Sequence, residues 1–553
     1  MRIWDLAFSS SAVAYLVLAI VLNIPFLLCH PDWTIVEMPV PRSLCINLVL
    51  FLVPGLPFVG VMVRKGWLQR FELLGAIGFS FVIFLAVLGI EHIVGLPAKA
   101  GLMWNGTWAV TNLGLLLYVL GGGPSLWRIR VNLRRACSFI LLFIAAYLAF
   151  FYGATRIVPV LGDQDGEVQG TAYALMTRME PSLDTSRNTE YLFAHPPLLN
   201  FYVAGSLMYF NLLSEMALYD PQSPDHLSLR ESYKRYMQHP YLQETRTPNI
   251  FLSALTVALL GFWVGRVTGR QWLGLLVAFA YGSTAEVFVR SVYGGYFAIG
   301  NFALLQILLA VEVWMTNRGR SAWLICFLSG VFAALADHKM MFLPMAVVIW
   351  EALGSWREIR FIASVKALLN PVAVGFVAGS ALFWSYGLAI SRNDFWMDHV
   401  RHHFVDRVLN YNARGLDMSR YPSLGGLWLE FWQHTGYLLL PLGAIALWLL
   451  CFRNASTIKG ENPQSVSGWR GMPGLWAIWA LLAAIAFSIV DWRQTKHLAP
   501  LTLPLFLAIS QIGIKRIQCV IVDALLIALA IWNVGILYIV AGNFEFLEKM
   551  PEW

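Results

Sequence analysis

The sequence is poor in charge and lacks most of what would build a soluble enzyme. Only 13% of its 553 residues are Asp, Glu, Lys or Arg, where soluble domains carry about a quarter. No soluble domain, low-complexity tract or internal repeat interrupts the chain. The six cysteines (Cys29, Cys45, Cys137, Cys326, Cys451 and Cys519) lie in or beside apolar runs without CxxC spacing. That excludes a zinc ribbon and a disulfide framework and leaves small core hydrophobes. The net charge of +7 does not point to nucleic acid, because no basic run with interleaved aromatics occurs. The basic residues fall in short loops, where they set membrane topology.

What is abundant is apolar and aromatic. Hydrophobic residues make up 58% of the chain, with 23 Trp, 20 Tyr and 35 Phe, and the mean hydropathy is +0.62. This is the composition of an all-α polytopic membrane protein with aromatic belts at both interfaces. Runs long enough to suggest spans lie near 9–29, 43–63, 71–94, 103–121, 136–158, 249–265, 273–289, 296–315, 321–336, 340–353, 368–390, 433–451, 473–490, 497–513 and 518–541. The expectation is therefore a bundle of about fifteen helices, the first an anchor and not a removed signal peptide. Basic loops at Arg64/Lys65/Arg70, Arg128–Arg135, Arg266/Arg270, Arg318/Arg320, Arg357–Lys366, Arg453–Arg470 and Lys515/Arg516 alternate with loops poor in Lys and Arg. The positive-inside rule then puts the N-terminus in the cytoplasm and the C-terminus outside. Residues 198–213 are short and follow a proline pair, so they are expected as an amphipathic helix in the outer interface. The organisation expected is an N-terminal four-helix extension over 1–135, a membrane region over 136–541 and an outer tail over 542–553. The membrane region carries outer loops at 159–248 and 391–432.

The polar stretch 162–197 organises the rest. It opens with three carboxylates, Asp163, Asp165 and Glu167, and closes with His195-Pro196-Pro197. A solvated helix cap would account for the acids. Yet ionisable groups recur on the same outer face at Arg290, at Asp337-His338-Lys339 and at Lys496-His497. Charge at a membrane boundary is costly unless paired or functional. For each cation alone, a snorkelling anchor is the competing explanation. The stretch NDFWMDHVRHHFVDR over 393–407 reads as a solvated interfacial helix, with a cleft cover or metal site as the alternatives.

The stretch from Asp165 to Pro197 resembles the first outer loop of GT-C glycosyltransferases of the protein O-mannosyltransferase and aminoarabinose transferase superfamily. Members carry an acidic pair, a helix and then Pro-Pro-Leu, matched here by Pro196, Pro197 and Leu198. TPNIFLSALTVALLGFWVGRVTGR (247–270), AALADHKMMFLPMAVV (333–348) and TKHLAPLTLPLFLA (495–508) resemble further elements of that family. The usual Asp-Glu pair is Asp165-Gly166 here, with Glu167 and Asp163 flanking, so the identity of the base stays open among the three. The four leading helices precede the family's usual first span.

The resemblance implies a GT-C fold and a membrane glycosyltransferase. Its donor would be a hexose or pentose on a polyprenyl phosphate, transferred with inversion to a hydroxyl of a glycan, lipid or protein acceptor. It further implies Asp165 as general base, with Asp163 competing and Glu167 supporting. Arg290, Lys339, Lys496, His497, Asp337 and His338 would face the donor phosphate and sugar, and His195 would order the loop or touch the sugar. With a single donor phosphate no cofactor is required, and a divalent metal is possible. A bacterial inner membrane, with the site facing the periplasm or outside, is the expected setting. A lipid-linked sugar flippase, a glycan ligase using a diphosphate lipid and a non-catalytic assembly subunit are the alternatives.

Overall fold

In the computed structural model the residues described are 11–64, 72–95, 99–120, 133–155, 196–212, 242–293, 295–355, 368–406, 423–452, 471–489, 495–512 and 516–542. They form an all-α membrane protein. The only strands among them are Cys29–His30 and Trp33–Thr34, a minimal antiparallel hairpin. Every one of the apolar runs named above coincides with helix. The helices are α1 (Ser11–Leu28), α2 (Pro39–Phe51), α3 (Leu56–Arg64), α4 (Glu72–Val94), α5 (Ala100–Leu120), α6 (Leu133–Ala154) and α7 (Leu198–Tyr209). They continue as α8 (Leu242–Thr268), α9 (Gln271–Gly282), α10 (Ala285–Val292), α11 (Phe297–Thr316), α12 (Arg320–Ala336), α13 (Phe342–Ser355) and α14 (Pro371–Ile390). The last are α15 (Arg392–Phe395), α16 (Leu424–His434), α17 (Leu439–Phe452), α18 (Met472–Ile489), α19 (Thr495–Leu498), α20 (Thr502–Gln511) and α21 (Arg516–Gly542).

Among the described residues, six helices are long and apolar enough to cross a membrane, or nine if each bent pair is one span. The difference from fifteen is one of length. α12 and α20 are apolar but run only 17 and 10 residues, about 26 and 15 Å at 1.5 Å per residue. Three runs are broken: α2/α3 by 44°, α9/α10 by 69° and α16/α17 by 93°. α10 and α16, the halves that carry charged residues, are turned by 69° and 93° from their apolar partners α9 and α17. α10 is strongly two-faced, with Ala285, Glu286, Val287, Ser291 and Val292 buried, as a helix at an interface should be. The third break needs Gly436, whose φ of +81° is open to glycine without steric cost.

One continuous apolar core runs from Leu22 in α1 to Ala530 in α21, so the leading helices α1–α5 share it with the rest. α7 is the link. All twelve of its residues are buried, which corrects the expectation of an amphipathic helix in the interface. It has no charged residue and no polar face, so neighbours on every side are the stable solution. Gly205 gives the close approach, since a Cβ there would stand 2.7 Å from Leu50 Cδ1. The Tyr202 ring lies 4.3 Å from that of Phe51 and the Tyr209 ring 4.9 Å from that of Trp104. The Tyr209 hydroxyl and Thr107 Oγ1 share a 3.0 Å hydrogen bond. At about 18 Å α7 is too short to span, as the sequence led one to expect.

Among the described residues, two of the basic loops are paired at the end of the bundle opposite Arg290. Arg266 binds both oxygens of Glu312, Arg270 meets Asp523, and Arg318 meets Glu351.

Candidate functional site

The cleft at the other end is assembled by three separate stretches of chain. α10 brings Arg290, and the α10–α11 connection brings Tyr293, Gly295 and Tyr296. The 3-10 turn His338–Met341 after α12 brings Asp337 and Lys339, and the α18–α19 region brings Phe487 and His497. Three of the residues singled out in the sequence, Arg290, Lys339 and His497, therefore line one space. Its cavity volume is about 60 Å3, room for several waters or one phosphate-sized group between these side chains.

Local chemistry explains the placement. α8 reaches across with Asn249, whose amide donates to the carbonyls of Tyr293 (2.5 Å) and Gly295 (2.8 Å). That holds the α10–α11 connection open as a rigid corner. Asp337 ends α12 in an extended conformation, and its side chain accepts from the Lys339 backbone N–H at 3.0 Å. The turn this closes aims Lys339 at the cleft, half-buried, with no carboxylate within ion-pair distance among the described residues. Asp337 itself is buried. The His497 ring stacks on Phe487 with centroids 5.8 Å apart.

Arg290 is set by two groups that sequence reading passed over. Its Nε donates to Glu286 Oε1 at 3.0 Å, one helical turn back, and Glu286 Oε2 lies 3.3 Å from His434 Nδ1 at the end of α16. Glu286 is 5% exposed, Arg290 15% and His434 34%. Burial alone would raise the Glu286 carboxyl, but the Arg290 charge and the His434 contact outweigh it and hold it at about 2. For His434, burial opposes the proton, while the hydrogen bond and charge of Glu286 favour it and raise the imidazole above its ordinary value. Glu286 and Arg290 at i, i+4 were a legible pair; His434, 148 residues away, gave no local signal.

Asp163, Asp165, Glu167 and His195 lie outside the described residues, as do the side chains of His338 and Lys496. The described residues on either side of the acidic loop, Ala154 and Asn200, are nevertheless held near the cleft walls. At its start, fully buried Arg246 donates to the Ala154 carbonyl at 3.0 Å and faces the Tyr293 ring at 5.4 Å. At its end, just past Pro196-Pro197, Asn200 Oδ1 accepts from the Tyr296 hydroxyl at 2.8 Å. Tyr293 and Tyr296 are cleft walls.

The stretch over 393–407 is anchored, not merely solvated. Phe395 and His399 are buried against Phe383 of α14, with His399 4.9 Å from the Phe383 ring and 5.1 Å from that of Phe395. Its other face, with Trp396, Met397 and Arg401, is exposed. Of the helix expected to be solvated, Phe395 and His399 are thus buried. Among the described residues no group of three or more His, Cys, Asp or Glu is placed to hold a metal ion.

The sequence matches no known family profile and no curated protein. Among solved structures the chain is similar to ArnT from Cupriavidus metallidurans, described as bound to undecaprenyl phosphate. The identity is 13% and the TM-score 0.46, over 74% of this chain and 71% of that one.

Proposed function

We propose that this protein is a membrane glycosyltransferase of the GT-C type. It takes a sugar from a polyprenyl-phosphate donor and transfers it, with inversion, to an acceptor hydroxyl on the extracytoplasmic face. The observation that carries the reading is the convergence of Arg290, Lys339 and His497 on one cleft whose tyrosine walls meet Arg246, bound to Ala154 before the acidic loop, and Asn200 just after it. Phosphate is the anion that a guanidinium and an ammonium at a membrane boundary suit best. As the glycosidic C–O bond breaks, the departing lipid phosphate gains negative charge, and cations already fixed in place stabilise it without reorganising. Lys339, with no carboxylate of its own among the described residues, is the main charge for that role.

The acceptor hydroxyl is a weak nucleophile until a base takes its proton as the new bond forms. Asp165 is assigned that proton, with Asp163 and Glu167 beside it in the loop. Attack from the face opposite the phosphate inverts the anomeric carbon. The test is binding of a polyprenyl phosphate to the purified protein in nanodiscs. Lys339→Ala is expected to weaken it about tenfold or more, the worth of one charge-assisted contact, with acceptor affinity unchanged. Equal loss for both substrates would mean that Lys339 serves the fold.

A further inference from the structure

Glu286 is tied on one oxygen to a cleft-lining guanidinium and on the other to an imidazole from a different segment of the chain. The arrangement has a consequence for charge. Counting these three side chains, Arg290 and Glu286 cancel, so the group is neutral while His434 is neutral and carries one positive charge when His434 is protonated. Glu286 is buried, where solvent screens little and a charge change on one side of the carboxylate is felt on the other. Arg290 itself reaches the cleft.

Resting on the reading of the cleft as a phosphate site, we propose that His434, acting through Glu286, sets the positive potential of the Arg290 wall, so that affinity for the lipid phosphate falls as His434 loses its proton. His434 is here a positioning and charge-setting residue that touches no substrate. The groups that act on His434 are Glu286 and Arg290 from α10 and Glu430 from its own helix. α19, packed against both α10 and α16, carries Lys496 and His497 at the same end.

The experiment measures binding of a polyprenyl phosphate to the full-length protein in nanodiscs from about pH 6 to about pH 9, the range in which a raised imidazole titrates. The lipid's own second ionisation, near about pH 6, and any titration of His497 are common to all variants, so the comparison isolates His434. Wild-type affinity is expected to fall across the range by on the order of tenfold more than that of His434→Gln, whose profile lacks this component. Glu286→Gln should lose the same component, because the link is cut, while its affinity at the alkaline end stays at or above the wild type. His434→Gln, at a part-exposed helix end, keeps the test available should Glu286→Gln misfold. Coincident profiles for wild type and His434→Gln, with binding intact, would overturn the charge link alone. Absence of wild-type binding at every pH would overturn the phosphate reading and this inference with it.

Discussion

The Tyr296 hydroxyl donates to Asn200 Oδ1 across 2.8 Å, joining a wall of the cleft to the first turn of the helix that receives the acidic loop. Tyr296→Phe keeps the ring and removes the donor. The expected cost in stability is about 1 kcal/mol, the net worth of one hydrogen bond. If the bond holds the loop's return end against the cleft, kcat should fall more than donor affinity. A thermal shift with an unchanged kcat would assign the bond to stability only.

Asp165→Asn should abolish transfer and leave donor binding nearly intact, since the amide keeps the size but cannot take the acceptor's proton. Loss of a general base costs about 10²–10⁴-fold in rate. The same change at Asp163 should cost less. Single-turnover assays on both variants decide: a dead Asp163→Asn beside an active Asp165→Asn exchanges the roles, and two active variants place the chemistry elsewhere.

The expectations at 290, 339 and 497 could be read from the sequence because boundary charge is rare in an apolar chain and each instance stands out. Helix positions could be read for the same reason, as uninterrupted apolar runs. What could not be read was whether a run such as Leu198–Tyr209 meets lipid or protein, since both environments are apolar and only its neighbours decide. Nor was the contact of Glu286 with His434 legible, because it depends on a turn at Gly436 whose geometry carries no charge pattern.

The ion group on α10 and α16 should leave a mark on stability against pH. Glu286, held at about 2 from an ordinary 4.5, contributes fully above 4.5 and loses its contribution as the pH falls towards 2. His434, raised above its ordinary 6.5, contributes fully below 6.5 and loses it as the pH rises through its folded value. Both contributions are complete between 4.5 and 6.5. The Tm difference between wild type and His434→Gln should therefore be largest in that window and shrink on the alkaline side. A difference that grows with pH would contradict the pairing.

Orientation is open to chemical labelling. Single cysteines at Ser186 and Gln494 in a cysteine-free background should react with an impermeant thiol reagent from outside, and one at Ser355 should not. The motive is the alternation of basic loops along the sequence. Reversed labelling would put the cleft on the cytoplasmic side.

The enclosure of α7 bears on how this chain can be taken apart. Its partners Leu50, Phe84 and Thr107 belong to the leading helices α2, α4 and α5, while Thr247, 3.1 Å from Ser206, belongs to α8. Removing residues 1–120 would strip one side of a helix that has no side suited to lipid, leaving the Tyr209 hydroxyl without Thr107 and facing hydrocarbon. The leading helices are thus not a detachable module. If the chain were cut between 120 and 133 and both pieces produced together, they should reassociate around α7, and neither alone should keep the cleft.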